Sequence, residues 1–299
     1  MQIALTGATG FLGRYLAAEL ATAGHTLRCW YRPSSDREGF EETADAIQWL
    51  PGQLGSVSAC QQLVDGCQAV VHAALDRPGA EFRGGEGDLL TFVQTNVLGT
   101  LQLIEAARSA GVGRFVFIST CAVHEVILDD RLLDEAHPLW ATSHYGAHKA
   151  AIEKFVHSFG LGEGYNICAL RPTGIYGLAR PATHSKWYDL VQSVAEGQTV
   201  ECQRGGKEVH AADVARAVQL LLNAEGIAGQ AYNCYDRYVS QFEVATMARQ
   251  LSGSDAQILG QETTPKHQIE TGKIRDLGMQ FGGTELLQRT IAQLVAAVR

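Results

Sequence analysis

Two side chains that are four residues apart, Tyr145 and Lys149, could do acid–base chemistry. On a helix, such residues lie on one face, about one turn apart. A nearby ammonium group stabilises a phenolate and lowers the pKa of the tyrosine, so the phenol becomes usable as an acid or base near neutral pH. The pair therefore predicts proton transfer at Tyr145, tuned by Lys149, on a helix that spans residues 143–160.

A hydroxyl group is expected close to this pair. Ser119 and Thr120 lie at the end of the apolar run that begins at Arg114. Ligands bind at the carboxyl ends of parallel strands, so these hydroxyl groups are expected where the chemistry occurs. Thr120 can donate a hydrogen bond to a substrate carbonyl oxygen, or accept one from an alcohol. A helix cap or a strand-end hydrogen bond is the alternative role for Thr120.

The elements that must position these side chains follow a regular pattern. Short apolar runs alternate with helical stretches, which predicts right-handed crossovers and a doubly wound parallel α/β sheet of the Rossmann type. The predicted strands are residues 2–5, 26–31, 69–72, 114–119, 166–170 and 231–234. The predicted helices are residues 12–23, 89–110, 143–160 and 211–223.

A glycine-rich segment, LTGATGFLG (5–13), lies between the first strand and the first helix. Glycines permit a tight turn and a close approach of the backbone to a pyrophosphate, and the helix N-terminus faces that group with free N–H groups. The GxxGxxG spacing differs from the simplest fingerprint, and a glycine-rich turn without a ligand is the alternative. Its position nevertheless predicts dinucleotide binding. The residues assigned to this loop are Gly7, Thr9, Gly10, Phe11, Leu12 and Gly13.

The end of the second strand bears on the choice of dinucleotide. A carboxylate there would bind the ribose 2′-hydroxyl and favour NAD, but the segment reads CWYRP (29–33). Arg32 is placed to pair with a 2′-phosphate, because a guanidinium group matches phosphate geometry. A solvated surface arginine is the alternative. We therefore favour NADP over NAD.

Beyond residue 174 the regularity weakens. Residues 175–208 and 237–299 carry turn signals, short helices and mixed polarity, which predicts a smaller, discontinuous C-terminal substrate lobe. Residues 1–174 and 209–236 are assigned to the dinucleotide-binding Rossmann domain.

Composition excludes several classes of protein. The 299 residues carry 24 basic and 32 acidic side chains, a net charge of −8, so no broad basic surface is available for nucleic acid or anionic lipid. No apolar run reaches the ~18 residues of a membrane span, and no leader peptide is recognised. The seven cysteines include no CxxC pair and are expected to be reduced. We expect a cytoplasmic protein with no metal site and a small-molecule substrate.

Eight segments occur in the order typical of one family. They are TGATGFLG (6–13), VVHAA (70–74), NVLGT (96–100), STCAV (119–123), YGAHK (145–149), RPTGIYG (171–177), VHAADVARA (209–217) and KIRDLG (273–278). Over nearly its whole length the chain resembles the extended short-chain dehydrogenase/reductases, also called the NAD-dependent epimerase/dehydratase family.

This resemblance implies roles for residues at matching positions. Tyr145 would donate or accept the proton, Lys149 would hold the nicotinamide ribose, and Thr120 would orient the reacting oxygen. Asn96 would support the site, although a helix cap is an equally ordinary role for it. The remaining cofactor positions implied by the resemblance are Gln53, Leu54, Ala73, Ala74, Ser119 and Pro172.

Departures from the family pattern narrow the function. The family's nucleotide-sugar dehydratases have an acidic pair after the catalytic threonine, where this chain has Cys121 and Ala122, so dehydration and decarboxylation are disfavoured. His124 replaces a residue of the family's VYG segment and is a candidate substrate contact that titrates near pH 7, with a structural, hydrogen-bonded histidine as the alternative. The diphosphate-binding arginine expected near residue 206 is missing. The candidate substitutes in the predicted lobe are Arg180, Lys186 and Arg204.

The leading hypothesis is an NAD(P)-dependent oxidoreductase that moves a hydride between nicotinamide and a carbonyl or secondary alcohol of a small or sugar-like substrate. The alternative is a nucleotide-sugar 4-epimerase that retains NAD, and a non-catalytic dinucleotide-sensing protein is a third interpretation. The resemblance also implies a homodimer formed through helices 89–110 and 143–160. Candidate contacts on these helices are Phe92, Val93 and Phe155, and at helical spacing a place in the core is the alternative for them.

Overall fold

The computed structural model describes residues 1–79 and 84–298. The strands are β1 (Gln2–Thr6), β2 (Thr26–Tyr31), β3 (Ile47–Pro51), β4 (Ala69–His72), β5 (Arg114–Ile118), β6 (Ile167–Pro172), β7 (Gly174–Tyr176), β8 (Val200–Cys202), β9 (Gly205–His210), β10 (Gln230–Cys234), β11 (Arg237–Ser240) and β12 (Ile258–Gly260). The helices are α1 (Phe11–Thr22), α2 (Val57–Val64), α3 (Leu89–Val93), α4 (Gly99–Ser109), α5 (His144–His157), α6 (Tyr188–Ala195), α7 (Ala211–Leu221), α8 (Gln241–Ser252), α9 (Gly272–Arg275) and α10 (Gly283–Val298).

The described chain divides into two compact units. The first comprises residues 1–172, 215–234 and 270–279, and the second comprises residues 173–214, 235–269 and 280–299. The sequence analysis assigns residues 270–279 to the substrate lobe, whereas the structure places them in the first unit. Hydrogen bonds explain this difference, because Glu270 N–H donates to Leu133 O at 3.0 Å and Lys273 Nζ donates to Ala231 O at 2.9 Å.

Among the described residues, the first unit is built on a seven-stranded sheet in the order β10–β6–β5–β4–β1–β2–β3. Every neighbouring pair in this sheet runs parallel. Its central strands are nearly continuous apolar runs, as expected for strands that are covered on both faces. The predicted parallel α/β sheet is confirmed, and β10 lies at its edge beside β6.

The long helix predicted at 89–110 is interrupted. Between α3 and α4, residues Gln94–Leu98 form a π-helical turn that contains Asn96. A π turn adds one residue to the helical repeat and is frequent at functional sites. Phe92, predicted at the dimer surface, is buried and meets the His148 ring edge-on, with ring centroids 4.9 Å apart. A dimer contact at Phe92 is therefore wrong, and the alternative place in the core is the one observed.

The second unit has its own core. Strand β9 pairs with β11 in antiparallel fashion and with β7 in parallel fashion, and β8 pairs with β12. The sequence analysis predicts only short helices for residues 237–299, but α10 has 16 residues. Its buried positions Leu287, Ile291, Leu294 and Val295 follow helical spacing. This periodicity is present in the sequence and is masked by the polar residues between those positions.

The described part of the chain contains no helix that is long and apolar enough to cross a membrane. Its seven cysteines are free thiols.

Candidate active site

The glycine-rich turn between β1 and α1 is packed too tightly for side chains. Gly7 has a φ of +78°, and a Cβ there would lie 2.8 Å from Ala74 N. A Cβ on Gly13 would lie 1.9 Å from Gly7 O, well inside van der Waals contact. Gly10 N–H donates to Gly7 O at 3.0 Å and closes the turn at the start of α1. Only glycine fits at these two positions, as expected for the tight turn and the close helix–strand packing of a dinucleotide-binding loop.

The other positions predicted to bind the cofactor lie at strand ends along the same edge of this sheet. Gln53 and Leu54 follow β3, but Leu54 is buried and offers only its backbone, whereas Gln53 is exposed. Ala73 and Ala74 follow β4, and Pro172 ends β6. Parallel strands place their carboxyl ends together, so the structure brings these segments to one side of the sheet.

Helix α5 carries the tyrosine–lysine pair. Its N-cap is Ser143, whose Oγ accepts a hydrogen bond from Gly146 N–H at 3.0 Å. Lys149 is buried, donates from Nζ to Ile118 O at 2.7 Å and lies 4.6 Å from the centroid of the Phe117 ring. Burial lowers the pKa of Lys149 to about 7. Its ammonium group is thus held against the end of β5, one turn from Tyr145.

Thr120 lies immediately after β5, beyond the carbonyl group that binds Lys149. Its Oγ accepts from Ala122 N–H at 3.1 Å, so it caps the short helical turn Cys121–Val123. This is the alternative role anticipated for Thr120. The capping bond occupies an acceptor position only, and the hydroxyl proton can still be donated to a substrate oxygen.

Asn96 holds the chain that follows β4. Its Oδ1 accepts from Asp76 N–H at 2.8 Å, and its Nδ2 donates to Asp76 O at 2.8 Å and to Phe92 O at 3.0 Å. The side chain is buried in the π-helical turn. Asn96 therefore fixes both backbone groups of Asp76, a role that its family resemblance suggested only in outline.

A buried hydrogen-bond chain connects Asn96 to the glycine-rich turn. Thr100 Oγ1 donates to Asn96 O at 2.6 Å, so it accepts from His72 Nε2–H at 2.9 Å. His72 Nδ1 then accepts from Thr6 Oγ1 at 2.6 Å, and Thr6 Oγ1 accepts from Ala74 N–H at 3.2 Å. This arrangement requires a neutral imidazole, and burial lowers the pKa of His72 to about 3. The sequence analysis missed His72, because the histidine falls within an otherwise apolar strand.

A buried ion pair lies beneath the end of β5. The side chains of Arg171 and Glu153 are each about 1% exposed. Arg171 Nη2 donates to Glu153 Oε2 at 2.6 Å, and Arg171 Nε donates to both carboxylate oxygens at 3.0 Å. Ser119, predicted to contact the cofactor, instead directs its hydroxyl group to Glu153. The Ser119 main-chain N–H is also engaged, because it donates to Leu170 O at 2.7 Å.

His124 belongs to this buried network and does not face a substrate pocket. Its Nε2 accepts from Arg171 Nη1 at 3.1 Å, and its Nδ1 bonds with Pro138 O at 3.2 Å. Burial, reinforced by the positive charge of Arg171, lowers the pKa of His124 to about 4. The prediction of a substrate contact that titrates near pH 7 is therefore wrong.

Two carboxylates that the sequence analysis did not identify hold the start of α5. Glu86 is buried, and its Oε1 accepts from Tyr145 N–H at 3.2 Å. Glu125 accepts from Ser143 N–H at 2.7 Å and from Ser143 Oγ at 3.0 Å. Carboxylates stabilise a helix N-terminus, so both groups fix the helix that carries Tyr145. Neither residue lies near α5 in the sequence, and no local pattern identifies them.

Arg32 follows β2 and forms an ion pair. Its Nη1 lies 2.8 Å from Asp76 Oδ1, and the two side chains are 54% and 47% exposed. The adjacent Arg14 is held more firmly, because it donates to Glu38 O at 2.6 Å and to Asp36 Oδ2 at 3.0 Å. The arginine predicted to select the dinucleotide therefore has a carboxylate partner.

In the second unit, one of the three candidate substrate cations is neutralised. Lys186 Nζ lies 2.5 and 2.6 Å from the two carboxylate oxygens of Glu208. Burial raises the pKa of Glu208 to about 7, although Lys186 opposes this effect. Arg180 and Arg204 are exposed on the surface of this unit.

Comparison with protein families gives a match over most of the chain. The model of the NAD-dependent epimerase/dehydratase family matches residues 3–234. The chain belongs to this family. The family assignment agrees with the sequence resemblance and makes the chain an NAD(P)-dependent enzyme of the extended short-chain dehydrogenase/reductase type.

Curated relatives within the epimerase/dehydratase family catalyse different reactions. A 4-hydroxy-2-methyl-3-oxo-4-farnesyl-3,4-dihydroquinoline-1-oxide ketoreductase of Stigmatella aurantiaca is 30% identical over 270 residues, which cover 78% of this chain and 76% of the relative. A UDP-glucose 4-epimerase of Rhizobium meliloti is 28% identical over 62% of this chain, and the match spans only 56% of that protein.

Solved structures of the family share the fold. The UDP-glucose 4-epimerase of Thermotoga maritima, solved with UDP-glucose, superposes with a TM-score of 0.80 at 18% identity and covers 99% of this chain and 98% of that one. The UDP-glucose 4-epimerase of Thermus thermophilus, solved with NAD, has a TM-score of 0.78 at 22% identity and covers 100% of this chain and 99% of that one.

Proposed function

We propose that this protein is an NADP-dependent reductase or dehydrogenase that acts on a carbonyl or secondary alcohol of a small or sugar-like substrate. The observation that carries this proposal is the placement of Lys149, which lies on α5 with Tyr145 and donates from Nζ to Ile118 O, two residues before Thr120. Three groups suited to proton transfer at one oxygen atom are thereby attached to two adjacent elements.

Three side chains have different roles at the substrate oxygen. Thr120 donates its hydroxyl proton to that oxygen, and Tyr145 gives or takes the proton of the reaction. The ammonium group of Lys149 favours the phenolate form of Tyr145. The tight turn at glycines 7 and 13 leads into the N-terminus of α1, which suits a pyrophosphate. When bound there, a nicotinamide dinucleotide supplies or accepts the hydride.

Arg32 supports NADP as the preferred dinucleotide. It is half-exposed at the end of β2, where no carboxylate from that strand is present to bind a 2′-hydroxyl. A guanidinium group forms bidentate hydrogen bonds with a phosphate group. The extra 2′-phosphate distinguishes NADP from NAD.

Dehydration is disfavoured by the residue after Thr120. Cys121 donates from Sγ to Arg171 O at 3.0 Å, and burial raises its pKa to about 12. A thiol in this state is a poor acid or base near neutral pH.

A nucleotide-sugar 4-epimerase is the second candidate, favoured by the fold match to UDP-glucose 4-epimerases. Such an enzyme uses the same threonine, tyrosine and lysine but retains its NAD. The pairing of Lys186 with Glu208 weakens this candidate, because that ammonium group is already neutralised.

The first experiment is to denature the purified protein, identify any released dinucleotide by mass spectrometry, and titrate the emptied protein with NADPH and NADH. We expect an empty site that prefers NADPH, with the preference lost in Arg32→Ala. Stoichiometric NAD retained through purification would instead favour the epimerase. A screen of carbonyl substrates would follow, with Tyr145→Phe expected to lower turnover by about 10²- to 10⁴-fold.

We also propose a homodimer formed through α3–α4 and α5. Val93 and Phe155 remain candidates for the contact, since each is 40% exposed, and Leu90 beside them is 78% exposed. Apolar side chains exposed on neighbouring helices mark association surfaces. Light scattering of Val93→Asp and Phe155→Asp variants should report a monomer if this surface forms the dimer.

A further inference from the structure

The ion pair between Arg32 and Asp76 spans the end of β1. Arg32 follows β2 and Asp76 follows β4, and these two strands flank β1 in the sheet. Adjacent strands are about 4.8 Å apart, so two side chains must reach across roughly 10 Å to meet. They do meet, at 2.8 Å, above the strand whose carboxyl end leads into the glycine-rich turn.

The two partners are anchored to different degrees. Asp76 is held at its own N–H and C=O groups by the buried amide of Asn96, at 2.8 Å each. The Arg32 side chain is half-exposed, and its backbone N–H is bound to Ser35 Oγ at 2.9 Å. The backbone of Asp76 is therefore fixed at both polar groups, and the long, half-exposed arginine side chain can move to a new partner.

We propose that Asp76 is a specificity-determining residue of the dinucleotide site. Its carboxylate competes with a ribose 2′-phosphate for Arg32 and is itself an acceptor for a ribose 2′-hydroxyl. Discrimination between NADPH and NADH is then set by the pair and not by Arg32 alone. This inference rests on the proposed function, because it requires a dinucleotide bound at the glycine-rich turn.

The charges determine how Asp76 changes the affinity for NADPH and for NADH. A 2′-phosphate carries a charge of about −1.5 to −2, so it attracts Arg32 and repels Asp76. Binding NADPH must break the ion pair and leave the carboxylate near a like charge. A 2′-hydroxyl imposes neither cost and can donate to the carboxylate, as acidic residues do in NAD sites. Asp76 thus weakens NADPH binding and strengthens NADH binding.

The neighbouring pair of Arg14 and Asp36 provides a matched control. Arg14 is 16% exposed and donates to Glu38 O at 2.6 Å, to Asp36 O at 3.0 Å and to Asp36 Oδ2 at 3.0 Å. Two of these three bonds go to backbone oxygens, so loss of the Asp36 carboxylate leaves Arg14 in place. Asp36→Asn removes the same charge from the same region without releasing a guanidinium group.

The test is isothermal titration of NADPH, NADH, 2′,5′-ADP and 5′-AMP into the wild type and the Asp76→Asn, Asp36→Asn and Arg32→Ala variants. We expect Asp76→Asn to raise the preference for NADPH over NADH by about two- to fivefold, the size of an exposed ion pair, and by more at low salt. The preference for 2′,5′-ADP over 5′-AMP should rise in parallel. Asp36→Asn should leave both ratios unchanged.

The outcomes separate this inference from the proposed function. If Arg32→Ala abolishes an NADPH preference that Asp76→Asn leaves unchanged, the role of Asp76 is overturned and NADP dependence stands. If the wild type prefers NADH and Arg32→Ala changes nothing, NADP dependence fails. A higher NADPH-to-NADH ratio in Asp76→Asn would then still support the carboxylate as the discriminating group. Asp76→Ser gives a second variant, since Asn96 holds only the backbone of residue 76.

Discussion

Two arginine–carboxylate pairs in the first unit differ in their exposure to solvent. Arg171 and Glu153, beneath the end of β5, are about 1% exposed, whereas Arg32 and Asp76, above the end of β1, are 54% and 47% exposed. A buried pair that loses one partner leaves an uncompensated charge in a medium of low dielectric constant. An exposed pair exchanges its partner for water or another ion at little cost.

The number of hydrogen bonds around each pair matches its burial. Besides Glu153, Arg171 donates to His124 Nε2 and to Glu135 O, and Ser119 donates to Glu153, so the buried charges are enclosed by hydrogen bonds. For the exposed pair, the structure gives a single contact at 2.8 Å between the side chains. We infer that the pair of Arg171 and Glu153 stabilises the fold around the end of β5. The pair of Arg32 and Asp76 is exposed and can exchange partners with a ligand.

The largest effect is expected from breaking the buried pair. Glu153→Gln removes the carboxylate charge and leaves Arg171 buried without a counter-ion, which should reduce the free energy of unfolding by about 3–5 kcal/mol. Urea denaturation of the wild type and the variant measures the loss.

A double variant distinguishes charge from packing at the buried pair. Glu153→Leu with Arg171→Met replaces both charges by apolar groups of similar length, and buried ion pairs treated in this way are often neutral or stabilising. Recovery of most of the stability lost in Glu153→Gln would support the charge argument. Equal destabilisation in both proteins would show that packing dominates at this position.

The glycine-rich turn depends on close backbone packing. Gly13→Ala places a Cβ 1.9 Å from Gly7 O, and such overpacking costs about 1–3 kcal/mol while it displaces the turn. Dinucleotide affinity should fall with stability, which titration and thermal unfolding can follow together.

Gly24→Ala is the control for that substitution. Gly24 has a φ of +79°, and a Cβ there would meet nothing within 4 Å, so the variant carries backbone strain of about 1 kcal/mol without a clash. Its dinucleotide affinity should equal that of the wild type. A similar loss of affinity in both variants would refute the steric account of Gly13.

The buried network should also make stability depend on pH. Burial lowers the pKa of His124 to about 4, below the ~6.5 of an unfolded histidine. Between these values the unfolded state binds more protons, so stability falls as pH drops below about 6.5, by about 1.4 kcal/mol per pH unit. Between pH 7.5 and pH 5, His124→Gln should lose about 2 kcal/mol less than the wild type.

Unfolding by urea at the two pH values tests this prediction. His184→Gln, at an exposed histidine of the second unit, should keep the wild-type difference. A His124→Gln protein that loses as much stability as the wild type would show that His124 does not supply the proton difference. The contribution would then come from other buried histidines, such as His72, whose pKa burial lowers to about 3.

Local sequence patterns determine how much of this molecule can be predicted. Strands β2 and β4 have the predicted bounds, because a few consecutive apolar residues between turn signals are sufficient to define them. The π-helical turn at 94–98 was not predicted, since one extra residue hardly changes the apolar periodicity of residues 89–110. Helix α10 was missed because polar positions obscure its buried face.

The candidate site, like the fold, is predictable from the sequence only in part. The order of parallel strands is enough to place Thr120, Tyr145 and Lys149 at one sheet edge, and their catalytic roles remain predictions. The contact of Glu86 with Tyr145 N–H joins residues 59 positions apart, and that of Arg32 with Asp76 joins residues 44 positions apart. Such pairs leave no periodic signal, because each partner lies in an irregular segment whose path depends on the whole fold.

The smallest effect on stability is expected from the exposed pair. Arg32→Ala should change the free energy of unfolding by no more than about 1 kcal/mol, because both charges remain solvated when the pair is broken. The same substitution should remove the preference for NADPH over NADH, so stability and ligand choice would separate at this position. Urea denaturation and dinucleotide titration of one preparation test both parts. A loss of stability comparable to that of Glu153→Gln would mean that Arg32 is structural, and the contrast between the two pairs would fail.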